Sequence, residues 1–63
     1  MDDANLIRAT AQEMVRRHGK KALLLLRDRT EIANGIGDAL AAETWREIAI
    51  AANQLMAVHS SDD

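Results

Sequence analysis

Arg16-Arg17-His18-Gly19-Lys20-Lys21 is the stretch on which the fold turns. A glycine here interrupts two long segments that otherwise read as helix. It also sits inside the densest positive charge of the chain. Gly19 suits the left-handed C′ position that ends many helices, so the hexapeptide reads as a corner between two of them.

Upstream of that corner, the first helix is expected at about residues 4–18, with Asp2 or Asp3 capping its free N–H groups. Leu6, Ile7, Thr10, Ala11, Met14, Val15 and His18 recur at helical spacing on one face. Arg8, Gln12, Glu13, Arg16 and Arg17 take the other.

Downstream, the second helix is expected at about 20–33, with Ala22, Leu25, Leu26, Ile32 and Ala33 as its core stripe. Leu23-Leu24-Leu25-Leu26 complicates that stripe, because four successive residues sweep about 300° of a helix. Either this helix is central to the fold, or Leu23 and Leu24 face a partner. Asn34-Gly35-Ile36-Gly37 ends it, since both glycines tolerate positive φ. The third helix is expected at about 39–59, N-capped by Asp38. Its stripe is Ala41, Trp45, Ile48, Ala49, Ala52, Leu55 and Met56, and Ile50, Glu43, Glu47 and Gln54 lie off it. Ser60-Ser61-Asp62-Asp63 reads as a frayed polar tail.

Composition agrees with an all-α, three-helix bundle in a single domain over 1–63. The apolar content is mostly Ala, Leu and Ile, there is no Pro, and Trp45 is the only aromatic residue. Ala and Leu are strong helix formers, and the absence of Pro leaves helix interiors unbroken. A chain of 63 residues buries only roughly 60% of its unfolded surface and is marginal on its own. Small scaffolds compensate with disulfides, metals, good helix packing or a partner. With no Cys and two His, helix packing and self-association remain.

The net charge is −2, which disfavours a general nucleic-acid binder. It is unevenly spread: residues 1–30 hold seven Lys/Arg and four Asp/Glu, and residues 31–63 hold one Arg and six Asp/Glu. The N-terminus lacks a basic-then-apolar signal pattern. No apolar run exceeds the five residues of 22–26, far short of the ~20 residues that span a bilayer. These observations predict a cytoplasmic protein with no membrane association.

Several residues together resemble a group of small, uncharacterised helical proteins of alphaproteobacteria. They are His18-Gly19, Ala22, Arg29, Gly37-Asp38, Trp45, Ile48-Ala49, Ala52 and Leu55. The shared layout, HG…A…R…GD…W..I…L, covers about residues 8–56. Lys20-Lys21 depart from it, standing where acidic residues are usual. The resemblance implies a three-helix fold and a bacterial cytosolic setting. It carries no activity, cofactor or catalytic residue.

The residues themselves also argue against an enzyme. Nucleophilic catalysis needs a Ser, Cys or Thr with a base and an orienting group. The serines are Ser60 and Ser61, in the tail. Thr10, Thr30 and Thr44 fall within helices, and His59 beside Ser60 is a neighbour pair rather than a triad. Glu43 and Glu47 read as a solvated helix face. No cofactor is expected, and no His/Glu cluster has metal-ligand spacing. His18 is expected to cap its helix or pack against Trp45 or Met56. Glu31-Ile32-Ala33…Gly37 is similar to a helix-turn-helix corner, but Thr44 lies about two residues too far on. That third helix also begins with acids, where a DNA-binding face needs bases.

Two candidate sites remain. Arg16, Arg17 and His18 suit the negative end of a helix dipole. Lys20 and Lys21 do not suit the positive start of the next helix. Arg16, Arg17, Lys20 and Lys21 form a candidate anion or partner site. The simpler expectation is that the end of the third helix and Asp62-Asp63 neutralise the lysines. Leu23, Leu24 and Ile50 form the second candidate, a self-association surface, for which a two-fold homodimer is the commonest arrangement. The sequence therefore predicts a small non-enzymatic module that self-associates or binds a protein partner. The alternative is a small regulator that binds nucleic acid or another polyanion through residues 16–21.

Overall fold

The computed structural model describes residues 3–60, and the side chains of residues 4–57. It contains three helices: α1 (Asp3–His18), α2 (Lys21–Gly35) and α3 (Ala39–Ser60). No strand occurs among the described residues, and the helices pack on one another as an all-α three-helix bundle. The expected caps at Asp2 and Asp3 lie outside the described side chains.

Both corners follow from backbone chemistry. Gly19 adopts φ 58°, and its N–H donates to the Val15 carbonyl at 2.8 Å. That is the single-bond left-handed ending of a helix. The second corner is the fuller Schellman ending. Gly37 N–H donates to Asn34 O at 3.1 Å, and Asp38 N–H donates to Ala33 O at 2.9 Å. Asp38 then starts α3 by accepting the Ala41 N–H on Oδ1 at 3.1 Å, as an N-cap should. Only Gly37 of the second pair has positive φ, at 78°. Gly35 is the last residue of α2, so α2 runs two residues beyond the expected end at 33. The Schellman bonds reach back to Ala33 and Asn34, which draws Gly35 into the last turn. Ser60 likewise belongs to α3, and residues 61–63 lie outside the described part.

The central helix is α3, not α2. It packs extensively on both α1 and α2, while α1 and α2 touch little. The resulting bundle is elongated and flat, 40 × 27 × 16 Å. Its radius of gyration is 11.9 Å, against about 10.6 Å for a compact chain of this length.

The buried interior of the described residues is mostly alanine: Ala11, Ala22, Ala33, Ala42 and Ala52, with Leu26 and Ile48. Leu26 is the largest side chain removed entirely from water. Small side chains at the contacts allow interaxial distances near the short end of about 8–10 Å. Ile7, Met14, Val15, Leu23, Trp45 and Leu55 pack around this interior and remain half-exposed. The Arg29 guanidinium lies 5.5 Å from the Trp45 ring centroid, a cation–π contact that shields the indole.

Three expected inward positions turn out. Leu6 and Ile32 are exposed, and His18 is exposed rather than packed on Trp45 or Met56. Each lies within four residues of an end of its helix. Ala42, off the expected stripe, is buried because α2 packs along that side.

Candidate functional site

The basic corner divides into a paired half and an unpaired half. Arg16, Arg17 and His18 make up the last turn of α1. One turn back, Glu13 binds both arginines. Arg16 Nη2 donates to Oε2 at 2.8 Å and Arg16 Nε to Oε1 at 3.3 Å. Arg17 Nε donates to the same Oε2. The hydrogen bonds from Arg16, then those from Arg17, hold the Glu13 carboxyl below its ordinary range. The Glu13 hydrogen bond raises Arg16 in turn. Glu13 had only been placed on the outer face by periodicity. Its i+3 and i+4 spacing to two arginines is the signal that marks its role.

Lys20 and Lys21 have no such partner among the described residues. Both are exposed. Lys20 already has helical dihedrals, φ −61° and ψ −25°, and makes no side-chain cap. The first turn of α2 contains no acid. The proposed counter-charges, Asp62 and Asp63, lie outside the described residues. The end of α3 does return to this edge: Arg16 and Val15 share a groove with Leu55.

Leu23, Leu24 and Ile50 do not form one surface. Leu23 packs on the core cluster. Leu24 is 66% exposed on α2. Ile50 lines a groove between α1 and α3, with Ile7, Arg8, Glu47, Ala51 and Gln54. The four-leucine run is thus partitioned by helix order, with one residue inside, two at the margin and one outside.

Another set of exposed aliphatic side chains lies at the opposite end of the bundle. Leu6 is 66%, Ile36 74% and Leu40 78% exposed. Leu6 and Ile7 from α1 share a groove with Leu40, Glu43, Thr44 and Glu47 from α3. Ile36 stands in the α2–α3 corner, next to the start of α3. Two sequence signals point here: adjacent Leu6-Ile7, whose side chains diverge by about 100° around the helix, and large aliphatic residues on either side of a glycine corner.

The candidate nucleophiles are engaged locally. The hydroxyls of Thr10, Thr30 and Thr44 donate to the carbonyls of Leu6, Leu26 and Leu40 at 2.8, 2.9 and 3.0 Å. Such bonds back to the preceding turn are common for threonine within helices. The His59 side chain lies outside the described set. No group of three or more His, Cys, Asp or Glu gathers among the described residues. No helix among them is long and apolar enough to cross a membrane.

Comparison with protein-family models, curated proteins and solved structures returned no significant match.

Proposed function

We propose that this protein is a small, non-enzymatic, cytosolic interaction module that self-associates or docks on a protein partner. One observation carries the reading: the chain encloses alanines and exposes large aliphatic side chains. Among the described residues, five of the seven buried ones are Ala, while Leu6, Leu24, Ile32, Ile36, Leu40 and Ile50 are each more than half exposed. Scattered exposed leucines are ordinary, but a concentration of them is the mark of an interaction surface. A marginal domain gains most from covering them.

Membership of the alphaproteobacterial group belongs to the same proposal. The residues carrying the resemblance supply corners and core: Gly19 and Gly37 turn the chain, and Ala22, Ile48 and Ala52 fill the interior. Arg29 covers Trp45. They specify how the protein folds and leave its outer surface free to differ.

The polyanion-binding alternative has less behind it. Glu13 engages two of the four bases at the corner, leaving Lys20 and Lys21.

Sedimentation equilibrium tests the main reading. A mass above the 6.9 kDa monomer, rising with concentration, supports the self-associating form. A monomer at every concentration removes it and leaves docking on an unlike protein. Salt-sensitive binding to DNA or RNA would favour the alternative.

A further inference from the structure

Two opposite ends of the bundle carry features that the described residues do not reconcile. At one end, Lys20 and Lys21 start α2 with no acid in its first turn. Cations at that position oppose the helix dipole. Leu24, 66% exposed, follows at i+4 and i+3 and shares their face. At the other end, Leu6 and Leu40 line a groove rimmed by Glu43 and Glu47. These acids are i and i+4 on one helix, a spacing at which like charges repel. Neither acid has an ion-pair partner among the described residues. Each end therefore combines exposed leucine with a pair of like charges that makes no ion pair among the described residues, although Arg8 shares the neighbouring groove with Glu47, and the two pairs have opposite sign.

The ends are well separated. Leu6 and Ile7 lie beside Leu40–Glu47, and Val15 and Arg16 lie beside Leu55. So α1 and α3 run in the same direction and α2 runs back. Leu40 and Leu55 are about 22 Å apart along α3 at 1.5 Å per residue.

We infer that the occupant of the Leu6–Leu40 groove is the Lys20-Lys21-Leu24 turn of a second copy of this chain, docked head to tail. The inference rests on the self-association reading and specifies its surface. Leu24 of one copy meets Leu6 and Leu40 of the next, and Lys20 and Lys21 reach Glu43 and Glu47. The contact relieves the misplaced lysines and the adjacent acids together. Charge complementarity selects this arrangement over a two-fold pairing of the groove with itself, which sets acids against acids. Because the contact is heterologous, it repeats until a ring closes or a chain ends.

The test is sedimentation of three full-length samples at low salt, with far-UV circular dichroism confirming helicity. Lys20→Glu/Lys21→Glu makes both ends acidic, and Glu43→Lys/Glu47→Lys makes both basic. The first change also suits the start of α2 better, so loss of assembly in that variant does not reflect a weakened fold. We expect wild type to assemble and each variant alone to associate at least about tenfold more weakly, as like charges meet across the contact. Mixing the two variants should restore assembly, because acidic and basic ends then alternate. Wild-type assembly that neither reversal weakens, or variants that fail to restore it on mixing, overturns this interface while self-association stands. A strictly monomeric wild type overturns both and leaves the two patches to unlike partners.

Discussion

Gly35 and Gly37 are two residues apart and have opposite requirements. Gly37 has φ 78°, while Gly35 is helical, and a Cβ at either would meet nothing within 4 Å. Space is therefore no obstacle, and conformation alone decides. Gly37→Ala should lower stability by about 1–2 kcal/mol, the cost of placing an L-residue in left-handed geometry. Gly35→Ala should leave stability unchanged or raise it by up to about 1 kcal/mol. Urea midpoints of the two variants check this, and equal effects would contradict the assigned corner. Glu13 gives a pH-dependent counterpart. Its carboxyl is held below the ordinary 4.5 by Arg16, then Arg17. The folded state thus favours the ionised form. Its contribution is complete above 4.5 and disappears as pH falls through the lower folded value. The melting-temperature gap between wild type and Glu13→Gln should narrow as pH drops below 4.5. The group is exposed, so added salt should narrow it too. A gap unaffected by acid would remove the Glu13 pairing.

Each helix is fitted to the next by the size of its contact residues. Ala52 on α3 and Ala11 on α1 are both wholly enclosed. Ala52→Leu should force the helices apart and destabilise by about 1–3 kcal/mol. Leu26→Ala removes the one large, fully enclosed side chain and should cost about 2–5 kcal/mol. Chains of this length have only about 3–9 kcal/mol of stability in total, so loss of the thermal transition in Leu26→Ala is the expected result. A well-folded Ala52→Leu of unchanged stability would show that the alanine contacts are not tight. This is also the scale at which sequence reading stopped. Helix number, both corners and the α3 stripe were legible, because glycine geometry and apolar spacing are local properties. Leu26 was legible as a core position and is buried, but whether Leu23 and Leu24 face a neighbouring helix or a partner was not, because that follows from α3 being central. Leu6 and Leu40 meet only when α1 and α3 lie side by side, so no single element showed their groove. The turn at Gly19 inside the basic stretch was legible, but the tie between Glu13 and both arginines needed side-chain geometry.

At the level of the whole molecule, shape and charge agree. A slab 16 Å thick has little interior for its surface, and pairs of like charge, Lys20-Lys21 and Glu43/Glu47, sit at its two ends. If copies add to the folded state only, mass action makes stability depend on concentration. The melting temperature should therefore rise over a hundredfold increase in protein concentration and should rise less in high salt. A melting temperature independent of concentration would separate folding from association.

The alanine interior has one more consequence, in the calorimeter. Heat capacity of unfolding follows the apolar surface newly exposed to water, typically about 12–15 cal/mol/K per residue. Five of the seven enclosed residues here contribute a single methyl group each, so a dissociated chain should fall below that range. Its stability curve would then be broad and shallow, changing little between cold and warm conditions, and its thermal transition would be gradual rather than sharp.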